Sequence, residues 1–373
     1  MLSTAFFEEL QQHFSNALPF VVYRKPNDFE VHALLQKADE LHVIKDYTES
    51  GFVFSPFDNK DDAILLPFNS SKKISSNYDI SSEFKAATIH KVSSLKSKEE
   101  HIQLVQKGID AIRKGPIQKV VLSRKEEQHI SEENPLKIFK RLLEKYVSAF
   151  VYCWYHPKVG LWLGATPETL LKVEGNRFNT MALAGTQMYN EAKDVVWQDK
   201  EKDEQQIVTA FVVNSLKDSV STIKISEVET VKAGNLLHLK TAISGTLDFK
   251  NLDFKALLTN LHPTPAVCGF PKEMAKQFIV HNESYNREFY AGFLGELNLK
   301  ENKTRNRNRR NVENNVYATV KTVSNLFVNL RCMQLKNKSA LVYVGGGITK
   351  DSVAENEWQE TVNKTQTIQA VLD

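Results

Sequence analysis

A glycine run and three charged residues near the C-terminus have the types and spacing of a small-anion site. Three consecutive glycines at 345–347 follow the apolar run 340–344, which predicts a buried strand that the glycines stop. Glycines let backbone N–H groups approach an anion closely. On the helix predicted after them, Glu357, Glu360 and Lys364 stand at i, i+3 and i+7 and share one face. The segment therefore predicts an anion cradle beside two carboxylates and an ammonium group.

Lys119 is a candidate base inside an apolar strand predicted over residues 118–123. Strand alternation puts it on one face with Val121 and Ser123. A strand-edge lysine that reaches solvent is the ordinary interpretation of this pattern. A lysine serves as a base near neutral pH only where a desolvated pocket favours its neutral form.

Two further carboxylates stand where chemistry is possible. Glu168 ends the turn Gly-Ala-Thr-Pro-Glu, and although Pro-Glu is an ordinary helix start, an apolar pocket would keep this carboxyl protonated as a general acid. Glu204 lies one turn into a helix predicted over 200–218, close to the start of its apolar face. Acids in a first turn usually just complement the helix dipole. Glu204 and Glu360, on separate helices, would also suit Mg²⁺ held against an anionic substrate.

Two more polar residues stand in apolar or rigid surroundings. His262 lies in the proline-rich turn Leu-His-Pro-Thr-Pro-Ala, where a lone histidine is usually structural. Arg331 is a charge in an apolar strand predicted over 326–335. A buried arginine needs an anionic partner, either a protein carboxylate or a ligand.

Many strands and several helices must position these residues. Residues 69–84, rich in Ser, Asn and Lys, predict a surface loop. The irregular alternation, with several hairpins, favours an α+β fold (an α/β sandwich) in which large, mostly antiparallel sheets are layered with helices. Helices are predicted at 3–16, 98–114, 135–146, 200–218, 252–260, 271–281 and along the C-terminus, and strands at 20–23, 30–35, 51–55, 63–67, 118–123, 150–154, 160–164, 169–173, 177–183, 222–228, 236–247, 287–300, 326–335 and 340–344.

Composition bounds the function. The 373 residues, 42% hydrophobic, suffice for one large domain or two ordinary ones, and a net charge of +3 does not imply a polyanionic partner. Three scattered cysteines predict buried thiols rather than disulfides or zinc ligands. The basic run at 303–310 has no interleaved aromatics, which favours a solvated loop over nucleic-acid binding. Without a signal peptide or a membrane-length apolar run, a soluble cytoplasmic protein is expected.

Seven motifs occur in the order typical of the chorismate-utilising enzymes. The chain resembles the isochorismate synthases of this family over residues 96–373, and residues 1–95 resemble the variable N-terminal part of the same single domain. The motifs are Lys119-Val-Val-Leu-Ser-Arg, Gly164-Ala-Thr-Pro-Glu168, Ala182-Leu-Ala-Gly-Thr186, Lys202-Asp-Glu204, Leu261-His-Pro-Thr-Pro-Ala266, Asn329-Leu-Arg331 and Gly345-Gly-Gly-Ile with Glu357-Trp-Gln-Glu360-Thr-Val-Asn-Lys364.

The resemblance implies a role for each residue. Lys119 would activate water for attack at C2 of chorismate, and Glu168 would protonate the departing C4 hydroxyl. Glu204 and Glu360 would hold Mg²⁺ directly, with Glu357 at one remove. The reaction would be reversible and need no redox cofactor. The residues expected to bind the substrate are Gly185, Thr186, His262, Arg331, Gly345, Gly346, Gly347 and Lys364.

Differences from aminating relatives favour water as the nucleophile. Those relatives usually carry glutamine in place of Lys119, and some carry a nucleophilic lysine where this chain has Ala184. Salicylate synthase, which goes on to eliminate pyruvate, remains the alternative. Gln205 departs from the family's Glu-His and makes the alignment of Glu204 the least secure. The product would serve menaquinone or siderophore synthesis, and the absence of a partner-binding stripe predicts a monomer.

Overall fold

Two antiparallel sheets and the helices around them form the fold of the computed structural model, which describes residues 3–79, 94–189, 195–233, 236–248, 250, 252–303 and 319–372. The basic run at 303–310 lies outside these described residues, except for Lys303. The described helices are α1 (Ser3–Ser15), α2 (Leu95–Lys114), α3 (Pro135–Lys145), α4 (Asp199–Leu216), α5 (Phe254–Leu261), α6 (Lys272–Asn282) and α7 (Ala354–Gln369). None of them is long and apolar enough to cross a membrane.

One sheet has nine strands and carries the residues from both the middle and the end of the chain. Two neighbouring strands, β7 (Lys119–His129) and β19 (Ser339–Ile348), pair antiparallel, with Val120 opposite Ile348. In spatial order, its strands are β15 (Gly269–Phe270), β7 (Lys119–His129), β19 (Ser339–Ile348), β18 (Cys332–Lys336), β9 (Gly160–Thr166), β8 (Phe150–His156), β1 (Phe20–Arg24), β2 (Glu30–Gln36) and β6 (Ser71–Asn77).

Among the described residues, the other sheet has ten strands: nine lie in one path, and the tenth, β13 (Glu229–Ala233), pairs off that path with β14 (Leu236–Leu247). In spatial order, the nine strands of the path are β12 (Val220–Ile225), β14, β11 (Arg177–Met188), β10 (Thr169–Glu174), β17 (Thr319–Val328), β16 (Phe293–Lys303), β4 (Gly51–Ser55), β5 (Ile64–Pro67) and β3 (His42–Val43). The α+β class and the antiparallel sheets predicted from the sequence are confirmed.

The two sheets pack face to face through aromatic side chains. The rings of Phe150 in β8 and Phe327 in β17 stack with centroids 4.2 Å apart. Alternate residues of β8 belong to different apolar clusters: Tyr152 faces the other sheet, whereas Val151 faces the outer layer with Phe139 of α3. Because the central strands β1 and β8 of the nine-stranded sheet are buried on both faces, their sequences are near-continuous apolar runs.

Three sequence-based expectations are wrong: the surface loop at 69–84, the single strand over 326–335 and the end of a strand at 345–347. In each, tertiary pairing overrides local composition. The stretch predicted as a surface loop contains β6, which pairs with β2 at a sheet edge. The strand predicted over 326–335 is two strands, β17 and β18, which belong to different sheets. The break comprises the three residues after Val328, and at Arg331 φ is +47°.

The glycines at 345–347 do not stop a strand. They lie within β19 and pair in register with β7, Gly346 opposite Leu122 and Gly347 opposite Val121. A glycine in a strand often marks a place where another group approaches closely. Because these glycines have no side chains, the side chains of Lys119, Glu357 and Glu360 can lie close to the backbone of β19.

Candidate active site

A cavity of about 140 Å³ collects most of the predicted site residues. Side chains and glycines of both sheets and of α4 and α7 line it, so its residues come from distant parts of the chain. Two predicted residues, Glu357 and His262, are not among its lining residues. The predicted residues that line it are Lys119, Glu168, Gly185, Thr186, Glu204, Arg331, Gly345, Gly346, Gly347, Glu360 and Lys364.

Lys119 is buried in the cavity rather than extended to solvent. Its side chain is 2% exposed, and its Nζ lies 3.6 Å from Glu204 Oε2. A methyl group on Gly347 would lie 2.9 Å from Lys119 Cε, which is too close for two carbon atoms. Glycine at this position of β19 is therefore what gives the lysine its room.

Glu168 supplies a carboxyl group that stays protonated. It is 3% exposed, at the turn between β9 and β10. Burial raises its pKa to about 8, although the positive charges of Lys119 and Arg331 oppose that rise. Desolvation disfavours the charged form of a buried acid. At neutral pH this carboxyl can therefore donate a proton.

The charged face of α7 meets ammonium groups. Lys364 Nζ lies 2.7 Å from Glu360 Oε1 and donates a hydrogen bond to Gly345 O at 2.9 Å. Glu357 is 3% exposed and pairs with Lys200 of α4 at 2.8 Å. Burial, together with the nearby Glu360, raises the pKa of Glu357 against the effect of Lys200. Burial also opposes the charge of Glu360, yet Lys364 and Lys200 hold the pKa of Glu360 below its usual value.

The three acids predicted to hold a metal each contact a lysine. Within the described part of the chain, no three His, Cys, Asp or Glu side chains are grouped closely enough to hold a metal ion. Two features nevertheless fit a cation. Glu357 Oε2 is buried and has no hydrogen-bond partner among the described residues. A methyl group on Gly346 would lie 3.4 Å from that oxygen and 3.8 Å from Glu360 Oε1, so both oxygens approach the same glycine.

His238 of β14 orients Arg331. Its Nδ1 donates to Gly185 O at 2.8 Å, because a carbonyl oxygen only accepts. Its Nε2 then accepts a hydrogen bond from Arg331 Nη2 at 2.9 Å. Burial and the charge of Arg331 lower the pKa of His238 to about 4, which keeps the imidazole neutral. The histidine thus links the guanidinium group to the backbone of β11.

Gly185 and Thr186 lie at an irregularity of β11, where the register with β14 shifts between Ala184 and Gln187. At Gly185 φ is +68°, a backbone conformation that favours glycine. Such a bulge breaks the regular pairing and redirects the backbone. It turns this end of β11 towards the cavity.

His262 is not brought together with the other predicted residues. It caps α5 and lines a different cavity, where its ring packs edge-on against Phe293 with centroids 5.1 Å apart. Burial, with smaller effects of Lys272 and Lys276, lowers its pKa to about 3. This is the structural role that a lone histidine usually has. The cavity wall is formed instead by Ala266 and Val267, further along the same turn.

Among the cavity-lining residues that sequence reasoning missed are His238, Lys200, Tyr290 and Tyr343. Lys200 carried a usable signal, since a cation in the first turn of a helix stands at the end that favours acids. His238 is a polar residue within an apolar strand. The two tyrosines, whose rings stack with centroids 5.4 Å apart, resemble ordinary core residues in the sequence.

The sequence matches a known protein family and individual relatives. A family profile described as "Chorismate binding enzyme" matches residues 54–304, and a second with the same description matches residues 316–370. The isochorismate synthase MenF of Escherichia coli (strain K12) is 26% identical over 279 residues, which is 72% of this chain but only 59% of that relative. The isochorismate synthase DhbC of Bacillus subtilis (strain 168) is 24% identical over 305 residues, covering 77% of this chain and 71% of the relative.

A solved structure matches over nearly the whole length of both chains. It is that of a putative 2,3-dihydroxybenzoate-specific isochorismate synthase, DhbC, from Bacillus anthracis. The TM-score is 0.77 at 20% sequence identity, with 98% of this chain and 99% of the other covered. At this identity the likeness concerns the fold.

Proposed function

Because the chain belongs to the chorismate-binding enzymes, we propose that it is an isochorismate synthase, which interconverts chorismate and isochorismate. The observation that carries the proposal is the presence of a buried lysine, Lys119, and a protonated buried carboxyl, Glu168, in one cavity. A base and an acid on one substrate allow a hydroxyl to be added at one carbon while another leaves. The names of the two curated relatives support the same activity.

The chain's own groups account for the proton transfers. Lys119 takes a proton from water as the water oxygen forms a bond to C2. The ring double bonds shift, the bond from C4 to its hydroxyl oxygen breaks, and Glu168 gives its proton to that leaving hydroxyl. One water enters and one leaves, so substrate and product are isomers. Reversal of the two proton transfers runs the reaction backwards.

The anionic groups of chorismate require cations. Arg331, oriented by His238, and Lys364, held by Gly345 O, are fixed cavity-lining donors for carboxylates. The aromatic rings of Tyr290 and Tyr343 and the backbone of Gly185 border the space for the ring. Each group is tied to a strand or helix, which favours one orientation of the bound substrate.

We propose Mg²⁺ as the cofactor, held by Glu204 and Glu360 with Glu357 beside them. Carboxylate oxygens are the ligands that Mg²⁺ prefers, and the unpartnered Oε2 of Glu357 is of that kind. When bound, the ion would neutralise a substrate carboxylate.

The test is incubation of the purified chain with chorismate and Mg²⁺, followed by chromatography of the products. We expect isochorismate to accumulate to the same equilibrium mixture from either direction, without pyruvate. Pyruvate released in step with chorismate loss would instead identify a salicylate synthase. No consumption of chorismate would refute the proposal. The same assay applied to the variant Lys119→Ala should show loss of turnover. Its matched control is Lys125→Ala, since Lys125 is an exposed lysine on the same strand as Lys119.

A further inference from the structure

Lys200 lines the cavity but takes no part in the proposed proton transfers. It stands in the first turn of α4, next to Asp199 and Glu201. Acids in this turn complement the positive end of the helix dipole, whereas an ammonium group is disfavoured there. An interaction elsewhere must offset that cost.

That interaction is with Glu357 of α7. Lys200 Nζ lies 2.8 Å from Glu357 Oε1, and the carboxylate is 3% exposed. A buried carboxylate without a counter-charge is costly. Lys200 supplies this charge to one oxygen only, because Oε2 has no hydrogen-bond partner among the described residues.

The unpartnered oxygen of Glu357, Oε2, lies where a divalent cation could bind in addition to the Lys200 ammonium group. Glu357 Oε2 and Glu360 Oε1 approach the same glycine, Gly346, at 3.4 and 3.8 Å from the position of an added methyl group. A divalent ion ligated there would meet the carboxylate that Lys200 already neutralises. Two cations on one carboxylate repel each other.

Of the three lysines that contact the acids, Lys200 has the most exposed side chain. The side chain of Lys119 is 2% exposed and enclosed, and Lys364 is also tied to Gly345 O. The side chain of Lys200 is 30% exposed. A lysine on a flexible four-carbon stem can leave a partly exposed pair and be rehydrated without rearranging the backbone.

We propose that Lys200 is a built-in counter-ion that competes with the divalent cation for Glu357: its ammonium group neutralises Glu357 when no metal is bound and withdraws to solvent when the metal binds. This inference rests on the metal site proposed above. Lys200 would thereby keep the acid site neutralised between turnovers and weaken its affinity for the free ion. Outer partners of metal ligands typically change metal affinity by about 10–100-fold, and a partly exposed pair should act near the lower limit.

The experiment measures Mn²⁺ binding to the full chain without substrate, by the loss of the free-ion signal in electron paramagnetic resonance. We expect Lys200→Met to bind Mn²⁺ about tenfold more tightly than the unmodified chain. Lys200→Gln should behave alike, and Lys200→Arg, which keeps the charge, should stay near the unmodified value. Lys202→Met is the matched control, because Lys202 is 55% exposed and pairs with Asp199 on the same helix.

A second substitution locates the ion. Adding Glu357→Gln to Lys200→Met should abolish the gain in affinity. Unchanged or weaker Mn²⁺ binding by both Lys200→Met and Lys200→Gln would overturn the inference. If the unmodified chain still converts chorismate with Mg²⁺ in that case, the proposed function stands without it. If neither form binds Mn²⁺, the metal site fails together with the inference.

Discussion

Replacement of Glu168 by glutamine should raise the free energy of unfolding at high pH relative to the unmodified protein and should also lower kcat. The substitution keeps the shape of the side chain but leaves it neutral at every pH. In the unmodified protein, burial raises the pKa of Glu168 from 4.5 to about 8. Between these values the folded protein holds a proton that the unfolded chain has lost. The free energy of unfolding therefore falls as the pH rises through this window.

The size of the effect follows from the two pKa values. A pKa difference of one unit corresponds to about 1.4 kcal/mol. Between pH 5 and pH 9 the buried carboxyl should therefore cost the unmodified protein about 4 kcal/mol of unfolding free energy, and Glu168→Gln should escape that loss. Any fixed cost of the amide cancels when the two pH values are compared. At the same time, loss of the acid should lower kcat by about 10²-fold or more.

Urea unfolding followed by tryptophan fluorescence at pH 5 and pH 9, without Mg²⁺ or substrate, measures the difference. Glu99→Gln, at an exposed position of α2, is the matched control and should change little with pH. If the difference between Glu168→Gln and the unmodified protein is the same at both pH values, Glu168 is not a buried neutral carboxyl. A variant with normal kcat would refute its role as the acid.

Four further outcomes are expected. Lys119→Ala should lower turnover by about 10²-fold or more while chorismate still binds in calorimetry, and near-normal turnover would refute Lys119 as the base. Gly347→Ala places a methyl group 2.9 Å from Lys119 Cε, so kcat should fall about tenfold with an unchanged thermal unfolding midpoint; a normal kcat would mean that the lysine needs no such room. In the unmodified enzyme, kcat/KM should fall as the pH rises above about 8, because Glu168 then loses the proton it must donate, and a flat profile to pH 10 would contradict this. Chelation of divalent ions should abolish turnover and added Mg²⁺ should restore it, whereas full activity in the chelator would exclude a metal requirement.

The elements with strong periodicity could be predicted from the sequence, and those made by distant pairing could not. The helix predicted over 98–114 and the strands predicted over 169–173 and 177–183 are local patterns, and all three are present. The edge strand β6 has the composition of a loop, and it is a strand because β2 offers it an unpaired edge. The switch of sheets after Val328 also has no local signal. The switch depends on strand pairing, since β17 pairs with β10 and β16 whereas β18 pairs with β19 and β9.

The candidate site shows the same division. Motif order predicted Lys119, Glu168 and most of the residues that surround them, because these residues stand in recognisable local sequences. It also included His262, whose burial beside another cavity depends on how α5 packs. His238 was missed because its partners, Gly185 and Arg331, lie far away in the sequence.

The pairing of β7 with β19 makes activity a late reporter of folding. The site needs the Lys119 side chain beside Gly347 of β19, which requires this register, and the two strands are separated by most of the catalytic part of the chain. Contacts of such large sequence separation form slowly, because loop closure costs entropy before the contact stabilises anything. A slip by one residue would turn Lys119 to the opposite face of the sheet. After dilution from denaturant, secondary structure should therefore recover before turnover, and the lag between the two signals measures the closing of this central pair of strands.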